Sequence, residues 1–353
     1  MKKLDKKSIA IIAGIGIILL TIVLFFILPK DKENQNSNQV NNEIDENPIE
    51  EVEKKVTIVD ADSNKRPFAV MINNLNEARQ IQSGLDKAYI VYEIIVEGGI
   101  TRFLALYQNP QDLTLGSVRS ARHYYLDYVL ENDAVFVHWG YSQQAKNDIK
   151  TLKINNINGL TYEGVYFYRD NPLKLSSEHT GFTNADLLNK AMEKLKYRQD
   201  TDKGLLLNYS AESVNLELHG DSSEATTVTM RYSNYIKNMY SYDENTKLYK
   251  RYVNNNEHKD YVTKQQITAK NILVYEVNNY TISGDTAGRQ FLENIGSGTG
   301  YYITEGKAVK MQWSKKDRAS KTIYEYEDGT EISFNDGNTF IQIMPKTGKL
   351  VIE

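Results

Sequence analysis

The sequence contains no cysteine among its 353 residues, and this absence excludes several kinds of site. Structural disulfides, cysteine-ligated zinc and a cysteine nucleophile all require a thiol. The lipid-modified cysteine that anchors bacterial lipoproteins is excluded for the same reason.

Runs of basic residues are also missing after residue 30. The formal net charge is −4, and four of the first seven residues are lysines, so the remainder of the chain is more acidic still. Proteins that bind nucleic acid usually present a basic face to the phosphates. We therefore predict no nucleic-acid partner.

One long hydrophobic run is present, from Ser8 to Leu28, and it carries no charge. As a helix, these residues would span roughly 31 Å, which matches the hydrocarbon core of a bilayer. The lysines in residues 1–7 precede it, so the positive-inside rule places the N-terminus in the cytoplasm. A cleaved signal peptide is the alternative, but its apolar region would be shorter and followed by small residues. We predict an uncleaved signal anchor, single-pass in the cell membrane, with the folded domains outside the cytoplasm.

The composition divides the rest of the chain into three parts. Residues 29–64 are rich in Asn, Glu, Gln and Lys and nearly free of aromatic residues, a composition typical of a disordered linker. Residues 65–203 alternate strand-like and helix-like segments, which predicts a mixed domain of the α+β (or α/β) class. Residues 204–353 contain short strand-like runs between turn signals and predict a mainly β domain.

Particular elements follow from periodicity and capping residues. In the first domain we predict strands at 68–72, 88–96, 103–107 and 134–137, and helices at 120–130 and 184–196. In the second domain we predict strands at 214–218, 227–231, 247–253, 271–280, 301–304, 308–313, 322–326 and 339–344. The glycine-rich segment 296–300 resembles a phosphate loop but lacks a following lysine and precedes a strand, so we interpret it as a flexible turn.

Two glutamates lie in an unusual setting, Glu93 inside an apolar strand and Glu97 just beyond it. A buried carboxylate is costly unless it is paired or neutralised. One interpretation is an internal ion pair between Glu93 and one of the arginines at positions 79, 102, 119 and 122. The other is a carboxyl that binds a ligand or acts as a general acid. Four residues of regular strand span about 13 Å, too far for the two to act as a glycosidase pair.

Arginines and histidines supply the other candidate side chains. Arg119 and Arg122 lie three residues apart at the start of a predicted helix, where side chains and helix N-terminus together suit a carboxylate or phosphate. Arg79 and Arg102 could join them, or all could pair with acidic residues of the chain. The remaining candidate ligand-binding residues are His138 and His179.

Metal and serine-triad chemistry find no support in the spacing of these residues. His123, His138 and His179 could in principle hold zinc, but no HExxH-type spacing is present. A nucleophile elbow of the GxSxG type is also missing. We predict no metal and no cofactor.

Several segments together resemble the YerB-like family of bacterial envelope lipoproteins. They are RPFAVMINN from Arg66, ARQ from Ala78, VYE from Val91, EGGITRF from Glu97, VRSAR from Val118, and GTGYY from Gly298. The resemblance covers about residues 65–350 and implies an envelope location and two domains. The family's domains have no known function, so it implies no catalytic residue. The chain departs from the family in having an apolar anchor segment instead of a lipidated cysteine.

The preferred hypothesis is an extracytoplasmic envelope protein that binds an anionic or carboxylate-bearing cell-wall component. Arg102, Arg119 and Arg122 would hold the anion, because guanidinium groups match carboxylate and phosphate geometry. One alternative is a peptidoglycan-acting enzyme with Glu93 or Glu97 as general acid. A further alternative is a scaffold for other membrane or envelope proteins.

Overall fold

The protein is described by a computed structural model, in which residues 55–353 are described. Its strands are β1 (Phe68–Asn73), β2 (Ile90–Ile95), β3 (Thr101–Tyr107), β4 (Thr114–Gly116), β5 (Val135–His138), β6 (Asn156–Asn158), β7 (Tyr168–Arg169), β8 (Gly181–Asn184), β9 (Asn208–Ser210), β10 (Ser223–Glu224), β11 (Thr227–Arg231), β12 (Lys237–Asp243), β13 (Leu248–Val253), β14 (Asn256–Glu257), β15 (Thr268–Ala269), β16 (Asn271–Val277), β17 (Asn279–Thr281), β18 (Gln290–Leu292), β19 (Gly296–Thr304), β20 (Lys307–Lys315), β21 (Ile323–Tyr326), β22 (Ser333–Asn335), β23 (Thr339–Pro345) and β24 (Lys349–Ile352).

Helices are few and short in this part of the chain. The α-helices are α1 (Asn76–Arg79), α2 (Tyr125–Glu131), α3 (Gln143–Thr151), α4 (Gly159–Tyr162) and α5 (Ala185–Lys194). Single 3-10 turns occupy Leu85–Lys87, Glu97–Gly99, Ser177–His179 and Leu216–Leu218. The described residues thus form a mixed, sheet-rich fold whose C-terminal part is mainly β, as the sequence predicted at this coarse level.

An 11-stranded main sheet organises the fold, in the order β10-β20-β19-β16-β23-β2-β3-β1-β5-β6, with β21 attached to β20. Strands β1, β5 and β6 run parallel to one another, and β23 runs parallel to both β2 and β16. The β2–β23 pairing joins a strand of residues 65–203 to a strand of residues 204–353. Strands from both sides of the predicted boundary therefore share one sheet.

A second sheet covers one face of the main sheet, in the order β14-β13-β12-β11-β24, with β15 paired to β13. Its strands alternate buried and more exposed residues, as expected for a sheet with one face against the core. Tyr240 on β12 packs edge-on against Phe340 on β23, with ring centroids 5.9 Å apart. The opposite face of the main sheet receives α2, where Tyr128 lies 4.7 Å from the ring of Tyr92.

The central strands carry apolar residues on both faces because both faces are covered. Every residue of β1, β2, β3 and β23 is buried, which agrees with the doubly apolar pattern read from the sequence. Charged side chains also enter this core in pairs, as in the buried bond between Lys315 and Glu131 at 2.7 Å.

The predicted helix at 120–130 was wrong at its N-terminal end, because α2 begins at Tyr125. Residues 119–121 are instead bonded to strand ends, from Arg119 N to Met71 O at 2.9 Å and from Ala121 N to Gly140 O at 2.9 Å. A backbone committed to these partners cannot continue a helical ladder. Arg119 and Arg122 therefore precede α2 and do not lie in its first turn.

Two further predictions were wrong in the second region. Residues 214–218 do not form a strand, because the Asn215 side chain accepts a hydrogen bond from Glu217 N and caps a 3-10 turn. The glycine-rich segment 296–300 is not a turn but the first half of β19, paired with β20 from Gly296 opposite Lys315 to Gly300 opposite Met311. A Cβ on Gly300 would lie 2.3 Å from Val274 O, so the glycine permits close approach of neighbouring strands.

The predicted transmembrane segment at residues 8–28 lies outside the described residues, as does most of the predicted linker. Within residues 55–353, no helix is both long enough and apolar enough to cross a membrane. Near the end of the predicted linker, Thr57 and Ile58 donate their backbone N–H groups to the carboxylate of Asp336, each at 2.9 Å. Val59 there is buried in the core.

Candidate functional site

The candidate site lies at the border of the main sheet that is formed by the carboxyl ends of the parallel strands β1, β5 and β6. This border is called the edge in the description of the site. In parallel sheets, ligands commonly bind outside the carboxyl ends of the strands. Residues 117–121 cross this edge between the ends of β1 and β5. Asn73 N donates to Ser117 O at 2.9 Å, and Trp139 N donates to Arg119 O at 3.0 Å. The crossing segment is thus fixed by backbone bonds to two strand ends.

Three arginines, here called the arginine cluster, meet at this edge: Arg102 at the start of β3, Arg119 on the crossing segment and Arg122 directly after it. Arg102 and Arg122 both donate to the carboxylate of Glu97, Arg102 Nη2 at 3.1 Å and Arg122 Nε at 2.9 Å. Arg122 also donates through Nη2, so its contact with Glu97 is bidentate. One carboxylate therefore holds two guanidinium groups.

The crowding of positive charge at the cluster shifts the pKa values of Arg102 and Glu97. Burial and repulsion from Arg122 lower the pKa of Arg102 to about 10. Burial acts to raise the pKa of Glu97, but hydrogen bonds from Arg122 and the charges of both arginines outweigh it and lower this pKa to about 2. Glu97 is therefore ionised at neutral pH. The three guanidinium groups of the cluster face two carboxylates, those of Glu97 and Glu178.

The second carboxylate belongs to Glu178, which pairs with Arg119. Arg119 Nη1 also donates to Glu178 O at 3.2 Å. The Glu178 side chain is 52% exposed, whereas that of Glu97 is 22% exposed. The hydrogen bond from Arg119 lowers the pKa of Glu178. Of the two carboxylates, Glu178 is the one that a competing anion from solvent could displace.

Spare hydrogen-bond donors are buried at the same edge. Arg102 Nε, Arg119 Nε and the Ser117 hydroxyl have no hydrogen-bond partner within residues 55–353. Buried polar groups are nearly always paired, so each orphan calls for an explanation such as a water or an ion. Unpartnered buried nitrogens also occur beside Glu93, at Arg251 Nε and Nη1, so the orphans support a ligand site only together with the convergence of the three arginines.

His179 belongs to this site through two contacts. Its Nδ1 lies 3.1 Å from Asn73 Nδ2 and therefore accepts a hydrogen bond from the amide. Its Nε2 lies 3.7 Å from the carboxylate of Glu178. His138 is placed differently, buried below the edge, with Nδ1 2.8 Å from Gly140 O and its ring stacked on Phe136. Burial lowers the pKa of His138, which indicates a neutral, structural ring.

Aromatic side chains near the cluster are mostly committed to internal contacts. Trp139 is buried, and the guanidinium carbon of Arg169 lies 4.1 Å from its ring centroid. Tyr124 is buried, and its hydroxyl donates to Ile95 O at 2.8 Å. Tyr141 keeps partial exposure. Of these three aromatic residues, Tyr141 is the one that keeps exposure to solvent, although its ring also contacts His138 and Lys146.

Glu93 lies in a separate network, beneath the second sheet. It is fully buried and forms an ion pair with Arg251 Nη2 of β13 at 2.7 Å, and both side chains are 0% exposed. Asn74, Thr101 and Asn238 donate the remaining hydrogen bonds to its carboxylate. An internal ion pair was one interpretation of the sequence, but its partner was none of the four arginines considered there.

Arg79 borders the Glu93 network and does not join the arginine cluster. Its guanidinium donates to Asn74 O at 2.6 Å and to Asn76 Oδ1 at 3.1 Å. Burial and repulsion from Arg251 lower its pKa to about 10. The structure thus unites Arg102, Arg119, Arg122, Glu97 and His179 at one edge, and separates Arg79, Glu93 and His138 from them.

Sequence reasoning missed some contributors that did leave a signal. Arg251 shares a face of β13 with Tyr249 and Val253, and an arginine on an otherwise apolar face of a strand indicates a buried charge pair. Glu178 precedes His179 directly in the sequence, within a segment otherwise rich in Ser and Thr. Ser117 gave no signal as a buried orphan, because its burial depends on tertiary contacts.

Comparison with known proteins places these features in a family. Residues 56–198 match the family described as "Protein of unknown function (DUF3048) N-terminal domain", and residues 228–341 match its C-terminal domain. The chain is 33% identical over 298 residues to "Putative lipoprotein YerB" of Bacillus subtilis (strain 168), covering 83% of each chain. The chain belongs to the YerB-like family. This confirms the resemblance read from its motifs.

A solved structure of the YerB-like family shares the fold. The crystal structure of YerB from Bacillus subtilis superposes with a TM-score of 0.70 at 29% sequence identity, covering 81% of this chain and 94% of that chain. YerB itself is described as a lipoprotein, whereas the present sequence contains no cysteine. The YerB-like family carries a description of unknown function, so it assigns no role to the arginine cluster.

Proposed function

We propose that this protein is an envelope protein, held outside the cytoplasm, that binds an anionic or carboxylate-bearing cell-wall component through its arginine cluster. The observation that carries the proposal is the combination of three convergent guanidinium groups with buried orphan donors at one sheet edge. Guanidinium groups recognise carboxylates and phosphates through paired N–H donors.

The pairing of Arg119 suggests how the ligand enters. Glu178 is half exposed and shares its carboxylate with Arg119, and exposed ion pairs contribute little to stability. An anionic group can take the place of this carboxylate on Arg119 at small cost. Glu97, ionised and held by two arginines, would keep Arg102 and Arg122 in position. A carboxyl with a pKa near 2 retains no proton at neutral pH, which favours this positioning role over that of a general acid.

The envelope location of the proposal has two supports. The relative from Bacillus subtilis is described as a lipoprotein, and such proteins reside at a membrane surface. The apolar run at residues 8–28 would supply the anchor in a chain without cysteine. We accordingly place the folded residues outside the cell membrane, on a single-pass anchor with a cytoplasmic N-terminus.

The test is co-sedimentation of the full-length chain, in mild detergent, with purified cell-wall sacculi. We expect wild-type protein in the pellet, loss of sedimentation in Arg119→Gln, and stronger binding in Glu178→Gln because that change frees Arg119. The matched control is Arg198→Gln, which removes an exposed arginine paired with Asp133 away from the cluster. Binding should weaken as salt is raised.

Two results would overturn the proposal. Wild-type protein that stays in the supernatant would remove the wall as ligand and turn the search to protein partners. Equal sedimentation of Arg119→Gln and Arg198→Gln would remove the arginine cluster as the site. Mass spectrometry of the supernatant separates the enzyme alternative, since wall fragments released by wild-type protein would indicate catalysis.

A further inference from the structure

A cleft of about 800 Å³ lies where the second sheet ends over the main sheet, remote in sequence from the arginine cluster. One wall is β24, the last strand of the second sheet, and the floor is the face of the main sheet formed by β16, β19 and β20. Val274, Tyr301 and Lys310 are cross-strand neighbours on that floor. The volume is within the range typical of ligand sites.

The wall of the cleft presents unpaired backbone groups. β24 pairs with β11 on one side, and no strand among residues 55–353 pairs with its other side. Thr227 and Glu353 exchange backbone bonds at 2.8 and 2.9 Å, and in an antiparallel ladder such bonded pairs alternate. Val351 and Lys349 therefore also bond to β11, while the N–H and C=O groups of Leu350 and Ile352 point away from it, along the free edge.

Leu350 and Ile352 are the residues of β24, with Lys349, that line the cleft. Within residues 55–353, no hydrogen bond to their backbone groups is formed from loops or side chains. Their side chains pack against the core and are only partly exposed. Two donors and two acceptors are thus held rigidly at the rim of a cleft, spaced as a further strand requires.

Charged side chains of both signs surround this edge without partners. Lys310 and Lys349, and likewise Glu276 and Glu327, line the cleft. None of the four takes part in an ion pair among residues 55–353. Exposed edge strands are usually protected by short length, charge or cover. Here the edge opens onto a cleft that could accept a chain carrying both an acidic and a basic side chain.

We propose that the cleft binds an extended peptide, which adds a strand to the free edge of β24 and carries at least one acidic and one basic side chain. Backbone bonds to Leu350 and Ile352 would supply affinity, and alternate side chains would meet the charged residues of the cleft. This site is independent of the arginine cluster, because the two share no residue.

The test selects peptides from a phage-displayed library of random eight-residue sequences on the full-length chain in mild detergent. We expect enriched peptides whose binding weakens at least tenfold in Ile352→Pro, which removes one free N–H, and persists in Ile352→Val. Proline is tolerated on an edge strand when its missing N–H faces away from the neighbouring strand. Bound peptide should slow amide hydrogen exchange at Leu350 and Ile352.

A second experiment uses wild-type protein and modified peptides, so it also tests the proposal if Ile352→Pro does not fold. The enriched peptide is synthesised in two forms, each with one of the two alternate sets of backbone amides N-methylated, and wild-type protein should fail to bind one of them. The proposal is overturned if no peptide is enriched, if both methylated forms bind as well as the unmethylated peptide, or if exchange slows elsewhere. Wild-type dimers that dissociate in Ile352→Pro would overturn it too, because a second copy of the chain would then occupy the edge.

Discussion

Glu93 and Arg251 show how a single buried pair can tie together distant parts of the chain. The two residues are 158 positions apart, and neither side chain is exposed. Taking two charges out of water is expensive, and good geometry with additional hydrogen bonds is needed to offset it. Glu93 has that support from three neutral donors. The pair is therefore tolerated, and leaving either partner alone is costly.

Removing one partner should reveal this cost. Arg251→Leu leaves the Glu93 carboxylate buried without its counter-charge, and we expect the free energy of unfolding to fall by about 3–5 kcal/mol. The control is Lys65→Ala, which breaks an exposed pair with Asp200 and should cost no more than about 1 kcal/mol. Urea unfolding monitored by circular dichroism measures both. Equal losses in the two variants would contradict the assignment of Glu93 as a structural charge.

Glu97 gives a pH-dependent prediction at the same scale. Its folded pKa, about 2, lies below the ordinary value of 4.5, so its ionised form stabilises the fold above pH 4.5 and this contribution is lost as pH falls toward 2. Glu97→Gln should therefore reduce stability most at pH 5–7, with the difference from wild type shrinking near pH 3. Urea titrations at pH 7, 5 and 3 provide the comparison. A difference that stays constant over this range would argue against the depressed pKa.

At the scale of elements, local pattern located strands well and helix ends poorly. The strand predicted at 227–231 coincides with β11, and the helix predicted at 184–196 corresponds to α5, with Asn184 as its cap. Helix α3 was not predicted, because its buried stripe consists of only Ala145 and Ile149 in a polar segment. Residues 120–124 were predicted as helix, and the bonds of the crossing segment to two strand ends, which no local pattern reveals, prevent it.

Strand β19 offers an element-scale test of the misread glycines. Gly300→Ala would place a Cβ 2.3 Å from Val274 O, on the neighbouring strand β16. Because a backbone oxygen in a central sheet cannot move freely, we expect a loss of about 1–3 kcal/mol in the free energy of unfolding. Thr299→Ala, one residue away on an exposed position, should change stability by less than about 0.5 kcal/mol. Comparable stabilities for the two variants would show that β19 is not packed as described.

At the scale of the whole molecule, the sequence predicted two regions, and the structure adds the contacts between them. The main sheet contains strands from both. Glu93 pairs with Arg251, and Glu131 with Lys315, in each case across residue 203. Such pairings join residues far apart in sequence, so composition and periodicity do not reveal which residue pairs with which. The arginine cluster illustrates the same limit: its three arginines were predicted together as ligands of an anion, but the geometry of their convergence depends on three strands ending at one edge.

Continuity of the main sheet predicts that the two regions unfold together. The chain has two tryptophans, Trp139 in the first region and Trp313 in the second, and both are buried. In the variants Trp139→Phe and Trp313→Phe, the remaining tryptophan reports on one region alone.

If buried pairs and shared strands couple the regions, both fluorescence transitions in urea should coincide with the loss of circular dichroism of the same variant. Each variant is compared with itself, so any change in its overall stability cancels. A Trp139 transition that precedes or follows the circular dichroism, while that of Trp313 does not, would instead show that residues 65–203 unfold separately.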